Sequence, residues 1–232
     1  MDDPVIRENL KRIEYNIRNA AAKRPSDREV KVLLATKTVP VERILFAADL
    51  GYTLIGENRV PELLSKYDAL CGKTDMHLIG HLQTNKVKSV VGKVSLIESV
   101  DSARLAREID RASAALGIIS DVLVEINIGK EESKGGIMPE EADPFFAEIS
   151  EFGHLRPVGI MTMAPRCDVK SDYNKYFNKT YRIFLDISQK YLYNIIEPVL
   201  SMGMSESYEE AVAEGATEIR LGSAVFGART YP

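Results

Sequence analysis

Segments with the character of buried strands recur along this chain, and each is followed by a segment with helical spacing. The strand-like stretches are VKVLLATKT (30–38), YTLIGEN (52–58), DMHLIGH (75–81), VSLIESVD (94–101), DVLVEINIG (121–129), LRPVGIMTM (155–163), EPVLSMGM (197–204) and EIRLGSAVFG (218–227). Between them, VERILFAADLG ends on Gly51 and SARLAREIDRASAALG runs from the cap candidates Asp101 and Ser102 to Gly117. PEEADPFFAEISEFG ends on Gly153, and SYEEAVAEG opens on Ser207 with Glu210 at capping-box spacing. Eight strands alternating with helices demand parallel βα units, because a parallel pair needs a long crossover. A length of 232 residues is close to the roughly 250 of an eight-fold barrel. An open doubly wound sheet would want a glycine-rich turn after its first strand. Here that strand leads into ATKTVP, which has no glycine. The pattern predicts an α/β chain forming a (β/α)8 TIM-type barrel over 1–232 as a single domain, with an extra N-terminal helix outside the eight units.

The rest of the composition removes whole classes of function. The formal net charge is −4 with no long basic run, so nucleic acid is not an expected partner. No stretch approaches the roughly 20 apolar residues of a membrane span, and the charged amphipathic N-terminus has no signal-peptide core. Cys71 and Cys167 stand far apart with no CxxC pattern. Free thiols in a reducing cytoplasm are the expectation, and a monomer the expected state.

In a barrel the chemistry gathers at the C-terminal ends of the strands. Lys37, Asn58, His81, Asn127, Ser201 to Ser205 and Arg220 to Ser223 all fall there. Lys37 shares parity with Leu33 and Ala35, which predicts an inward position on strand one. An ammonium drawn into a barrel is costly unless it is paired or neutralised, and one resolution is a nucleophilic lysine with a carbonyl partner. The alternative is a lysine in solvent. LSMGMS (200–205) and RLGSAVFG (220–227) follow strands seven and eight, where barrels often bind phosphate. Ser201, Gly203, Gly222 and Ser223 allow close backbone approach, and Arg220 offers a guanidinium. These glycines could equally serve turns while Arg220 pairs with a carboxylate.

Other motifs carry less. Asn58 in GENR suits a ring substituent or a helix cap at Arg59, and Glu57 could pair with Arg59. The H-x-x-x-H of HLIGHLQTNK lacks the glutamate of HExxH and lies on a strand, so it does not predict zinc. Lys134 in EESKGG is a rival to Lys37 but stands in a polar loop. A lysine facing a phosphate site calls for a ligand with an aldehyde at one end and a phosphate at the other. Pyridoxal 5′-phosphate (PLP) is one such ligand and a sugar phosphate another, so cofactor binding and aldolase chemistry both remain open.

The motifs ATKT (35–38), IGENRVPE (55–62), HLIGHLQTNK (77–86), SVDS (99–102), INIGKEESKGG (126–136), GIMTMAP (159–165), LSMGMS (200–205) and RLGSAVFGAR (220–229) occur in order over nearly the whole chain. In these the chain resembles the pyridoxal phosphate homeostasis family, PLP-binding barrels related to the N-terminal domain of alanine racemases. It departs at Met76, where the family often has tryptophan, at Pro61, and at Ser207, where aspartate is common. The resemblance implies a Schiff base to PLP on Lys37. It places Asn58, Ser201, Met202, Arg220, Gly222 and Ser223 in cofactor-contacting motifs. It implies a non-catalytic part in vitamin B6 homeostasis, with apo PLP enzymes as possible recipients. A compact amino-acid racemase is the alternative. It would need a second acid/base group and a further β domain, for which the residues after strand eight leave no length.

Overall fold

The computed structural model describes residues 2–24 and 28–227; the last two residues of the RLGSAVFGAR motif lie outside them. Eight parallel strands close into a barrel: β1 (Lys31–Ala35), β2 (Leu54–Glu57), β3 (Asp75–Leu78), β4 (Leu96–Val100), β5 (Ser120–Ile126), β6 (Leu155–Thr162), β7 (Val199–Met204) and β8 (Glu218–Leu221). Closure is made by β8 against β1, with Leu33 opposite Arg220. The helices are α1 (Pro4–Ala21), α2 (Val41–Asp49), α3 (Val60–Leu70), α4 (Val87–Val90), α5 (Ala103–Leu116), α6 (Ala142–Ile149), α7 (Tyr173–Tyr191), α8 (Tyr208–Ala213) and α9 (Ser223–Phe226). The fold is the predicted TIM-type barrel, and α1 is the predicted extra helix.

Strand parity sorts the side chains into two environments. Leu34, Ile55, Ile97, Val122, Val124, Ile160, Leu200, Met202 and Ile219 face outward and share one core with the helices. Each such buried side chain contributes about 1.5–3 kcal/mol, so this outer shell holds the barrel together. The lumen has only a small apolar layer, Leu96, Leu123, Val158 and Met161. Gly56 leaves the room that Leu33 fills, since a Cβ there would lie 2.9 Å from Ile79 and closer still to Leu33. Above the apolar layer the lumen is polar.

Local signals set the ends of elements. Ser102 caps α5 by accepting from the Leu105 N–H at 3.4 Å, and Gly117 ends it at φ 66°. Ser207 does not cap α8 as its spacing predicts. Its hydroxyl instead accepts from the Met204 N–H at 3.3 Å, holding the turn after β7. The β7–β8 register slips between Ser201 and Met204, and Gly203 sits there at φ 94°. That bulge needs glycine, because a Cβ would come 2.5 Å from Ala211. Helix α1 lies behind the last loops: Asn9 donates to the Val225 carbonyl at 2.9 Å and Asn16 to the Tyr208 hydroxyl at 2.8 Å.

Candidate functional site

Strand β1 leaves the ladder sooner than parity predicts. Ala35 is its last residue, and Lys37 lies in a turn, half-buried, instead of on an inward strand position. Thr36 still donates to Gly56 across the ladder at 3.0 Å, and then Val39 donates back to the Thr36 carbonyl at 2.9 Å. Thr38 takes a left-handed φ of 65°, unusual for a β-branched residue. Its N–H donates to Glu62 Oε1 at 2.6 Å. Lys66, from α3, reaches under the same turn. Its Nζ donates to the Thr36 carbonyl at 2.9 Å and to Glu57 and Glu62 at 2.8 Å each. Burial would raise the Glu62 pKa, but the bonds from Lys66 and Thr38 and the charges of Lys66 and Lys37 outweigh it and hold the carboxyl low. Burial pushes Glu57 up despite Lys66 and Thr36. Glu57 therefore pairs with Lys66 and not with Arg59. Among the described residues the Lys37 ammonium has no hydrogen bond or ion pair of its own.

Asn58 follows β2 and is half-buried. Arg59, not Asn58, is the N-cap of α3, and the Asn58 carboxamide makes no hydrogen bond among the described residues. Gly80 lets the turn after β3 close against it; a Cβ at Gly80 would lie 2.8 Å from the Asn58 Cα and inside contact with its carbonyl.

At the other side of the β1–β8 seam, the Ser205 hydroxyl accepts from the Gly222 N–H at 3.3 Å and from the Ala224 N–H at 3.1 Å. Backbone donors of the β8 loop thus converge on one oxygen, the arrangement that anion binding uses. Ser205 was not among the residues singled out individually. Its signal is a hydroxyl directly after the bulged strand.

Ser201, Met202 and Arg220 sit deeper than a loop site requires. Met202 is fully buried in the outer core, so only its backbone can serve the mouth. Arg220 is 5% exposed, its Nη1 donating to Ser201 at 2.6 Å and its Nη2 to the carbonyl of Thr162, the last residue of β6, at 2.8 Å. Its strand position opposite Leu33 turns it inward. Ser201 also lies 2.7 Å from Glu98 and 2.9 Å from Glu218. One hydroxyl proton cannot serve two carboxylates. The three contacts are satisfied together when Ser201 donates to Glu98 and a protonated Glu218 donates to Ser201. Burial, then the Glu98 charge, pushes Glu218 up to about 8, consistent with that inventory. His77 completes the chain, 2.8 Å from Glu98. Burial would lower His77, but Glu98 and Glu218 raise it; burial would raise Glu98, but His77 and Arg220 hold it low. His77 and His81 do not converge: His81 is exposed at the mouth, 3.5 Å from Asp101.

On β5, Glu125 shares the inward parity of Leu123 and stands at the top of the lumen. It is 5% exposed, and its carboxylate has no hydrogen-bond partner among the described residues. Burial, then Asp101, pushes it up to about 7, against the pull of Arg220 and His81. Lys134 is paired with Glu131 at 2.5 Å and is not a free rival to Lys37.

A cleft of about 1050 Å³ opens at the opposite, N-terminal end of the barrel, lined by Lys31, Asp75, His77, Asp121, Arg156 and Glu218 among others. Its prominent charges are paired with one another: Lys31 with Glu197 at 3.3 Å, and Arg156 with Asp121 at 2.6 and 2.8 Å. The unpaired lysine and the converging backbone donors are at the mouth, where barrels place their chemistry. The mouth is therefore the candidate site.

Residues 9–230 match the family described as alanine racemase, N-terminal domain. A pyridoxal phosphate homeostasis protein of Aquifex aeolicus is 41% identical over 226 residues, covering 97% of this chain and 98% of the relative. The chain belongs to the pyridoxal phosphate homeostasis protein family. The human protein of that name is 31% identical, covering 96% of this chain and 86% of its own. PipY of Synechococcus elongatus, described as a COG0325 family member, has a solved structure with PLP bound; it superposes with a TM-score of 0.82 at 28% identity, covering 96% of this chain and 100% of PipY. An alanine racemase of Clostridium difficile shares the fold, with a TM-score of 0.73 at 16% identity over 97% of this chain and 60% of the racemase.

Proposed function

We propose that this chain binds PLP at the barrel mouth, held reversibly through Lys37, and serves PLP homeostasis by holding and releasing it without turning over a substrate. The observation that carries this reading is the Lys37 ammonium, without a hydrogen bond or ion pair among the described residues, on one side of the β1–β8 seam and the converging N–H groups of Gly222 and Ala224 on the other. The residues assigned to the cofactor are Lys37, Asn58, Ser201, Met202, Arg220, Gly222 and Ser223. Lys37 supplies the amine and Asn58 an uncommitted carboxamide. Gly222 caps α9 and Ser223 opens it, at the turn after β8 whose backbone donors suit a phosphate. Met202 acts through its backbone alone, and Ser201 and Arg220 act from below through the lumen network. Bound PLP supplies an aldehyde carbon that forms a reversible carbon–nitrogen double bond with an amine. The names of the relatives and the PLP in PipY support the reading.

The test is the visible absorption of the full chain with added PLP, beside Lys37→Ala. A borohydride-sensitive band that needs Lys37 supports the tether. No band with added PLP overturns it. Polarimetry of the loaded protein with free amino acids then separates carrier from racemase: a loss of optical rotation that depends on Lys37 would replace the carrier reading.

A further inference from the structure

Glu125 is the described mouth residue whose state the reading above leaves unexplained. The residue is 5% exposed, its carboxylate oxygens reach the open mouth, and they accept no hydrogen bond from the described residues. Asp101, from the end of β4, brings a second carboxylate beside it. A Cβ built on Gly135 would lie 3.5 Å from Asp101 Oδ2 and 3.6 and 3.7 Å from the two Glu125 oxygens. The two carboxylates therefore converge beneath one glycine. That glycine is held in place. Asn127 Nδ2 donates to the Glu131 carbonyl at 2.8 Å, and the Glu131 N–H donates to Asn127 Oδ1 at 3.0 Å. Ile137 returns to β5, its N–H donating to the Glu125 carbonyl at 2.9 Å. Gly136 packs against the Asn127 backbone at φ 99°, which a side chain would prevent.

We propose that Glu125 and Asp101 form a subsite at the barrel mouth for the ammonium group of a primary amine. Two carboxylates brought together repel one another, and a cation between them relieves both. An ammonium matches the pair because it carries three donors and no acceptor. A metal ion matches less well: among the described residues the cluster tight enough to ligate one is His77, Glu98 and Glu218, and Glu125, Asp101 and His81 do not close to that span. The charged groups around Glu125 come from every side of the mouth: Asp101 after β4, His81 after β3 and Arg220 on β8. Arg220 is committed to Ser201 and Thr162, His81 is exposed beside Asp101, and Lys134 on the covering loop is committed to Glu131. None of them fills the site.

The role of the subsite rests on the PLP reading, although its existence does not. A bound ammonium gives one proton to the Glu125 carboxylate: an N–H bond breaks, an O–H bond forms, and the amine recovers its lone pair. That amine can compete with Lys37 for the aldehyde carbon. In the PLP-loaded chain a carbon–nitrogen double bond to the incoming nitrogen would replace the one to Lys37, the incoming amine's two N–H protons would pass to the Lys37 nitrogen, and Glu125 would release its proton through the open mouth, where the freed Lys37 amine is protonated.

The test begins with the PLP-free full chain, titrated with n-propylammonium chloride and followed by the amide resonances of Gly135, Gly136 and Ile137. Sodium chloride at matched ionic strength and n-propanol serve as controls. The expected result is a saturable shift with the amine alone, its midpoint raised about tenfold by Glu125→Gln and by Asp101→Asn. Gly135→Val, whose side chain begins at ordinary contact distance from both carboxylates, should block the response while leaving the dispersion of the spectrum intact. An unchanged titration in Glu125→Gln overturns the proposal, as does an equal response to propanol or salt. In the PLP-loaded protein, propylamine should discharge the Lys37-dependent absorption band more slowly in Glu125→Gln than in the unsubstituted chain. Equal rates would overturn the role assigned to the subsite. A loaded protein with no band at all would count against the PLP reading and leave amine binding to be judged on the PLP-free titration.

Discussion

Lys66 Nζ donates to the carbonyl oxygen of Thr36 at 2.9 Å, one residue before the lysine proposed to hold the ligand. The same ammonium neutralises Glu57, which is fully buried and whose Oε2 has no hydrogen-bond partner among the described residues. Lys66 therefore sets the turn that presents Lys37, although it makes no contact with the ligand in this reading.

Removing Lys66 should be costly. Lys66→Met leaves Glu57 buried without its counter-charge, and the expected loss is about 3 kcal/mol of unfolding free energy. Urea denaturation measures it. Adding Glu57→Gln removes the stranded carboxylate and should recover part of the loss. If the double variant is no more stable than Lys66→Met, the ion pair is not the reason.

Among the described residues the Lys37 side chain makes no hydrogen bond or ion pair, so Lys37→Ala should leave stability within about 0.5 kcal/mol of the unsubstituted chain. The same substitution should abolish the PLP-dependent absorption band. Thermal unfolding and the spectrum together separate a functional lysine from a structural one. A large drop in Tm would show that the ammonium has a partner in solution.

Stability should fall as pH rises from about 5 to 8. Glu125 and Glu218 titrate near 7 and 8 when folded, against 4.5 when unfolded. Through that window the folded chain keeps protons that the unfolded chain has released, so raising the pH favours unfolding. His77 acts with the same sign: its raised pKa stabilises fully below 6.5, and that contribution is lost as pH rises through the folded value. Glu62 and Glu98, held low, lose their contribution when pH falls below 4.5. Urea unfolding should give an optimum near pH 5, with a shallower alkaline decline in Glu218→Gln. Stability that climbs from pH 5 to 8 would contradict the proton assigned to Glu218.

Gly80→Ala should disturb the mouth more than the barrel. The added carbon meets backbone atoms of Asn58, which cannot swing aside as a side chain would. We expect a loss of about 2 kcal/mol in stability from the forced backbone shift and a several-fold weaker PLP titration. Unchanged PLP affinity would remove Asn58 from the cofactor's contacts.

The barrel was legible because its signals are local: strand parity, alternation with helices, and caps such as Ser102 and Gly117 all lie within a few residues of what they control. Lys37 was visible as an oddity at the end of an apolar strand, but its geometry was not. The turn depends on Lys66 and Glu62, which arrive from α3 once the helix has packed. The lumen network was hidden for the same reason. His77, Glu98, Ser201 and Glu218 come from four strands, and only their inward parity hints that they meet. Arg220 carried a residue-type signal beside a glycine-rich motif, but its bonds to Ser201 and the Thr162 carbonyl depend on the register of three strands. Ser207 offered capping-box spacing, yet its hydroxyl was drawn to the β7 turn.

The seam between β8 and β1 also sets when the site can exist. Leu33 and Arg220 face each other there, one near the start of the chain and one near its end. A growing chain releases Lys37 long before the Gly222 loop has been made, and until the eighth strand docks the lysine has nothing opposite it. If Lys37 and the Gly222 loop hold the ligand as proposed, the two halves of the site come together only when β8 closes on β1. A ligand that bridges Lys37 and the Gly222 loop would then tie the first strand of the barrel to the last, acting as a clasp on the seam that closes the ring.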